Sequence, residues 1–367
     1  MPISRLNKYR KIRTGHPTPA IGGQESPATI HTKIRVAISC GDAAGISYEI
    51  IFKALRRFIK LEPSVYFLII GDWNVAAFTL KRLKLNLKLL VVNNEDEIDF
   101  RKEKVNFINL NLIRKFSLKD AGRVNALFGR ASLESIEKAC KLIREKKADC
   151  LVTAPVNKKA VCLSKRNFKG HTEFLAKLSK TKRVAMMIAG ERLKVVLLTR
   201  HVPLKRVSAL LNKRDILSAA MLTSIYLRRF FGTKHPKIGL CALNPHAGED
   251  GLFGREEKNI IAPAARQARK RKINLVGPLP ADSIFVKAWR REFDAVLCLY
   301  HDQGLIPLKM LERDRAVNIT LGLPFVRTSP AHGTAYDIAY RNKAGSDSFY
   351  FAIKKAVEMV RNVKKFN

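Results

Sequence analysis

The sequence predicts an α/β fold with a mostly parallel sheet and helices on both faces. Short apolar runs of strand length, such as Ile34–Cys40, Val65–Ile70 and Ala295–Leu299, alternate with helical stretches along the chain. Several runs end in turns that carry Gly, His, Asp or Asn, at the position where open α/β sheets bind ligands. With 367 residues the chain exceeds one small core and calls for two α/β lobes or a single large domain.

Residues 1–32 differ from the rest: they have no apolar period, several Pro and Gly, and no acidic residue before Glu25. They read as a disordered basic leader without the apolar region of a secretory signal, and His16 and His31 within them receive no role. Order begins with strand Ile34–Cys40, a glycine-bearing turn at Gly41–Gly45, and a helix to about Phe58. Neither this turn nor any other stretch matches the GxGxxG dinucleotide fingerprint. Strand Val65–Ile70, helix Asn74–Arg82 and short strands at Leu89–Val92 and Val105–Ile108 follow. Leu133, Ile136, Ala139, Cys140 and Ile143 fall on one face and predict a helix over Ala131–Arg144. Then come strand Asp149–Thr153 and a helix opening at Gly170-His171-Thr172, whose free N–H groups favour an anion. Strands Val184–Ala189 and Leu193–Thr199, helices Leu204–Leu211 and Ile216–Phe231, strand Lys237–Leu243 and a helix from Arg255 continue the alternation. Gly277–Asp282 reads as a rigid turn. Strand Ala295–Leu299 leads into Tyr300-His301-Asp302-Gln303-Gly304, with Lys309 two helical turns on if a helix starts at Gly304. Strand Ala316–Thr320, helix Ala335–Tyr340 and a helix from about Ser346 to Val360 close the chain.

Apolar residues make up 47% of the chain, a globular proportion, and no apolar run approaches the roughly 18 residues of a membrane span. The six Cys are widely spread with no CxxC, which reads as buried free thiols in a reducing compartment. Lys and Arg number 69 against 31 Asp and Glu, net +38. Such a surface attracts anions, nucleic acid and anionic membranes. The cations are spread along the chain, however, and no zinc-finger, RRM or KH signature occurs. A solvated basic surface is the plainer reading, and neither specific nucleic-acid binding nor membrane association is expected.

Six of the eight His lie beyond residue 170, and His201, His246 and His301 each stand directly or almost directly after a predicted strand. If those strands are parallel neighbours, three imidazoles share one sheet edge and offer a divalent-metal site with positions open for substrate. His171, Lys309 and Arg327 would suit a phosphate or carboxylate, with Thr172 and Asn318 as neutral donors. Asp282 and Asp302 could orient the imidazoles or take part in proton transfer. His235 reads as surface, and His332 lies near the same edge.

The segments Gly170–Phe174, Thr199–Leu204, Leu243–Glu249, Gly277–Asp282, Tyr300–Gly304, Val317–Pro324 and Arg327–Ser329 together resemble the 4-hydroxythreonine-4-phosphate dehydrogenase family of pyridoxal phosphate biosynthesis. The resemblance spans about residues 34 to 362. It implies a two-lobed fold like that of isocitrate and isopropylmalate dehydrogenases, with 33–164 plus 334–367 as the first lobe and 165–333 as the second. It implies a cytoplasmic homodimer with its active site near the subunit interface. His201, His246 and His301 match the family's metal ligands, for zinc, magnesium or cobalt. His171, Thr172, Lys309, Asn318 and Arg327 match its substrate contacts, and Asp282 and Asp302 its acidic residues beside the site. The implied reaction oxidises 4-phosphohydroxy-L-threonine with NAD or NADP and then decarboxylates it to 3-amino-2-oxopropyl phosphate. Oxidation of a related threonate or erythronate 4-phosphate is the alternative, and a basic nucleic-acid-associated protein on an enzyme fold a more distant one. The chain departs from the common family form at Ala43 and at Ser47-Tyr48, where Pro and Gly-Pro usually stand.

Overall fold

In the computed structural model, which describes residues 33–165 and 167–366, strands and helices alternate along the chain. The leader expected over 1–32 lies outside the described residues. The first half runs β1 (Ile34–Ser39), α1 (Ser47–Leu61), β2 (Val65–Gly71), α2 (Trp73–Arg82), β3 (Leu90–Val92), β4 (Val105–Asn109), α3 (Ala126–Arg144) and β5 (Cys150–Thr153). Next come α4 (Lys158–Leu163), α5 (His171–Leu178), β6 (Ala185–Ala189), β7 (Lys194–Leu197), α6 (Val207–Leu210), α7 (Lys213–Phe231) and β8 (Lys237–Cys241). The remainder is α8 (Ala262–Lys270), β9 (Asn274–Leu279), α9 (Ala281–Trp289), β10 (Ala295–Cys298), α10 (His301–Glu312), β11 (Val317–Leu321), β12 (Val326–Pro330) and α11 (Asp347–Phe366).

One sheet takes in every described strand, in the order β3-β4-β2-β1-β5-β12-β11-β6-β7-β10-β8-β9. It is parallel at both ends and antiparallel in the middle, where β12 pairs with β11, β11 with β6, and β6 with β7. Helices cover both faces, so strand residues are buried on either side. Along β1, Val36 and Ile38 pack with α1 and α11, whereas Ala37 between them packs with α3. This is the two-residue period of a strand expressed as two separate apolar layers.

Local chemistry explains where the elements differ from expectation. α3 starts five residues before the predicted Ala131, because the Asn125 side chain accepts from the Leu127 N–H at 2.8 Å and caps it. Asn212 caps α7 in the same way, and Gly232 ends it at a left-handed φ of 68°. Gly277–Asp282 is not a turn: β9 runs through Leu279 and α9 starts at Ala281. β12 has no apolar run, since its residues are Val-Arg-Thr-Ser-Pro, yet every one of them is buried. The helix expected over Ala335–Tyr340 is a single 3₁₀ turn, Tyr336–Ile338. α10 begins at His301 instead of Gly304. The six cysteines are free thiols, five buried and Cys162 exposed.

A carboxylate anchors the far end of α10. Glu312 is buried and accepts the N–H groups of Glu191, Arg192 and Leu193 at 2.6, 2.9 and 2.9 Å, holding the tight connection between β6 and β7. Gly190 is needed there, because a Cβ would stand 2.0 Å from a Glu312 carboxylate oxygen. Replacing Glu312 with Ala leaves three amides without their acceptor. We expect Glu312→Ala to lose about 1–3 kcal/mol in urea unfolding; an unchanged midpoint would show that the clamp is dispensable.

Candidate active site

The site lies where the sheet changes from parallel to antiparallel. β5 ends at Thr153, α5 opens at His171, and β11 and β12 carry Asn318 and Arg327. Together they line a cavity of about 280 Å3 that also takes in Lys158, Glu173, Arg200, His201, Ser329 and His332. α5 has Gly170 at its N-cap with no side-chain cap, so its first N–H groups face the cavity end unpartnered by a capping side chain. Thr172 in that first turn is buried.

Arg327 is the unusual member. It is 1% exposed, and its Nη1 and Nη2 donate to the hydroxyls of Thr320 and Thr153 at 3.0 and 2.6 Å. Its Nε is buried with no partner, and no carboxylate pairs with it among the described residues. Burial pulls the guanidinium down to about 9, which still leaves it cationic at neutral pH. A buried cation held only by neutral hydroxyls is a site for an anion. His171 beside it is held well below its ordinary 6.5, first by burial, then by the charges of Arg327 and Lys158. Its Nε2 and the Oδ1 of Asn318 are also buried without partners.

A second, larger cleft of about 840 Å3 runs along α10 and the segment after β12. His301, Asp302 and Lys309 line it, and His332 and Gly333 line both cavities. The junction between the two is also crossed by the rings of His201 and His301, whose centroids are 5.8 Å apart. His301 Nδ1 lies 2.6 Å from Asp302 Oδ1. Gln303 sets this junction in place: its Oε1 accepts the Leu299 N–H at 2.7 Å and its Nε2 donates to the Ala242 carbonyl at 2.7 Å, tying the ends of β10 and β8. Gly304 lets α10 come close, since a Cβ would meet Cys298 Sγ at 2.9 Å. His201 is held below its ordinary value by burial, then by Lys158, His301 and Arg200. Both His171 and His201 therefore favour the neutral form.

The structure does not bring all the predicted residues together. The strands before His201, His301 and His246 are neighbours and parallel, in the order β7-β10-β8. His246, however, sits in the turn Pro245–Gly251, where residues 246 to 250 all have φ between 39° and 84°. Its Nδ1 meets Glu249 Oε1 at 2.6 Å, and the side chain is 66% exposed. The carboxylate of Glu257 holds the start of this turn through the N–H groups of Leu243 and Asn244, both at 2.8 Å. Three imidazoles suit a divalent metal as donors, yet among the described residues no group of three His, Cys, Asp or Glu is close enough within one chain to hold an ion. Asp282 lies in the first turn of α9 and lines neither cavity. Lys309 lines only the second cleft, apart from the other four proposed substrate contacts.

Lys158, Glu173 and Arg200 enter the first cavity without having been singled out. Arg200 and Glu173 pair at 3.0 Å. Their sequence signal is placement, since each stands in a segment that follows a strand or opens α5. In a chain with 69 cations that signal is weak. The Gly41–Gly45 turn is locked by Asp42, which accepts from Tyr336 Oη at 2.7 Å and from the Ala44 N–H at 2.9 Å. Gly41 is required because a Cβ would stand 1.9 Å from the Pro155 carbonyl oxygen.

Known proteins match this chain closely. A family model described as pyridoxal phosphate biosynthetic protein PdxA matches residues 64–356. The chain is 42% identical over 325 residues to a 4-hydroxythreonine-4-phosphate dehydrogenase of Desulforapulum autotrophicum, across 88% of this chain and 94% of that protein. It is 38% identical to the D-threonate 4-phosphate dehydrogenase of Salmonella typhimurium, across 88% and 98% of the two chains. Among solved structures, the 4-hydroxythreonine-4-phosphate dehydrogenase of Klebsiella pneumoniae superposes with a TM-score of 0.79 at 35% identity, covering 90% of this chain and 100% of that one.

The buried neutral His171 makes a pH prediction. Its folded pKa is depressed, so below its ordinary 6.5 the unfolded chain binds a proton that the folded chain does not. Its contribution is present above that pH and lost as pH falls below it. The stability of the wild type should drop more steeply from pH 7 to pH 5 than that of His171→Gln in thermal melts; parallel profiles would show that His171 is not buried as a neutral group.

Proposed function

The chain belongs to the 4-hydroxythreonine-4-phosphate dehydrogenase family and is an oxidoreductase acting on a phosphorylated hydroxy acid; we propose that its substrate is 4-phosphohydroxy-L-threonine. The secondary alcohol gives its hydride to NAD+ or NADP+ and its proton to a base. The resulting β-keto acid loses CO2, and the enolate takes up a proton to give 3-amino-2-oxopropyl phosphate for pyridoxine 5′-phosphate formation in the cytoplasm. The observation that carries this reading is Arg327, a fully buried cation with no acidic partner among the described residues, lining one cavity with the open N-terminus of α5.

The phosphate would sit against Arg327, His171 and Thr172, with Asn318 as a neutral partner; a fixed phosphate sets the position of the reacting carbon. The carbon to be oxidised would then lie toward the His201–His301 pair. Asp302 holds His301 in one orientation through its Nδ1 and stands ready to take part in proton transfer. The dinucleotide would lie in the adjoining larger cleft, where Lys309 and Arg313 offer charge to its pyrophosphate. Asp282 is kept as an acidic residue of the site on the family resemblance alone.

His201, His246 and His301 would hold a divalent ion (zinc, magnesium or cobalt), which would supply Lewis-acid chemistry at the substrate oxygen. One chain as it stands does not close that set. We propose that a homodimer completes it, with its interface covering the exposed apolar residues Leu252, Phe253, Ile306 and Met310 near the site. The active cleft falls on the boundary between the two proposed lobes, 33–164 plus 334–367 and 165–333. A second reading keeps the site and changes the acid. It rests on the nearly equal identity to the D-threonate 4-phosphate dehydrogenase.

Three measurements test these readings. The purified chain should form NADH or NADPH from 4-phosphohydroxy-L-threonine faster than from D-threonate or D-erythronate 4-phosphate. EDTA should abolish the reaction and added metal restore it; full activity of metal-stripped His246→Ala would remove the metal role. Arg327→Met should lower kcat/KM by about 100-fold or more while leaving Tm unchanged or raised, because a buried charge without an ionic partner is replaced by a hydrophobe. A large fall in Tm with normal kcat/KM would make Arg327 structural.

A further inference from the structure

Seven buried side-chain nitrogen or oxygen atoms have no hydrogen-bond partner among the described residues, and four of them belong to residues lining the first cavity. They are His171 Nε2, Asn318 Oδ1, Arg327 Nε and Arg200 Nη1. The first three belong to residues already placed against the substrate. Arg200 has no assigned role.

Its guanidinium is half committed. Nη2 is held 3.0 Å from Glu173 Oε1, whereas Nη1 is buried and unpaired. Glu173 is itself in the first turn of α5, so the pair fixes the loop after β7 to the helix that opens the cavity. A fork with one prong fixed and one free presents a directional donor, which a lysine could not do. The unpaired nitrogen is costly without a partner and gains most from an oxyanion.

Two guanidinium groups reach the cavity from different elements: Arg327 stands on β12, and Arg200 directly precedes His201 in the segment after β7. A substrate with phosphate on one terminal carbon and carboxylate at the other has two anionic ends with the hydroxyl between them, one for each guanidinium.

We infer that Arg200, steadied by Glu173, binds the carboxylate of the substrate and is a specificity-determining residue of this enzyme. The inference rests on the reading that the substrate is a phosphorylated hydroxy acid whose phosphate lies at Arg327. Arg200 selects for the acid over phosphorylated alcohols of similar size. Glu173 is a positioning residue, acting through Arg200.

The test compares two probes that differ only in the carboxylate: 4-phosphohydroxy-L-threonine and 3-amino-2-hydroxypropyl phosphate. Calorimetric titration of the full chain should show that Arg200→Met weakens the first by about tenfold or more and leaves the second within about twofold. Arg200→Lys should fall between, and thermal melts of both variants confirm folding. If Arg200→Met binds both probes as wild type does, or loses both equally, the inference is overturned while the parent reading stands. If the wild type binds neither probe, the parent reading fails and this one falls with it.

Discussion

A guanidinium with no carboxylate to answer it stands at the centre of this molecule. Arg327 on β12 donates to Thr153 on β5 and Thr320 on β11, and so joins the three strands where the sheet passes from parallel to antiparallel pairing. Desolvating that charge is expensive, and two hydroxyls offset only part of the cost. The arrangement makes physical sense with an anion in the cavity. An uncapped helix N-terminus and the cations Lys158 and Arg200 at the walls add to that preference.

The acidic residues are used differently. With 31 of them against 69 bases, pairing every acid with a base would still leave a large positive excess. Several of the buried or half-buried ones instead accept backbone amides in the loops between elements. Glu312 holds the β6–β7 connection, Glu257 the start of the His246 turn, Asp42 the first strand-to-helix turn, and Asp72 the N–H groups of Leu112 and Ile113. A carboxylate accepting two or three N–H groups fixes a loop more tightly than a surface ion pair would. Rigid loops at the strand ends are what a site assembled from separated segments needs.

Much of this was legible beforehand. Alternating apolar runs placed ten of the strands to within a few residues, because strand burial on both faces leaves a continuous apolar signal. β12 was invisible for the opposite reason: Arg327, Thr328 and Ser329 are polar, and their burial depends on partners more than a hundred residues away, such as Thr153. α9 was hidden behind Gly277-Pro278 and Pro280, which read locally as a turn. The residues around Arg327 could be named from the sequence because they stand directly after strands or in a distinctive motif. Arg200 could not, since nothing local distinguishes it from the other cations of the chain.

The sequence by itself determined the α/β class, the mostly parallel sheet, and the edge of that sheet at which His201, His246 and His301 emerge. Those follow from periodicity and from the order of strands and turns, which are properties of neighbours along the chain. Tertiary structure alone decided which of these residues meet. It set His201 against His301 at 5.8 Å, turned His246 toward Glu249, assigned Lys309 to the second cleft, and left one prong of Arg200 free. Such choices depend on side-chain direction and on the left-handed backbone of residues 246 to 250, and these are settled by packing between distant segments.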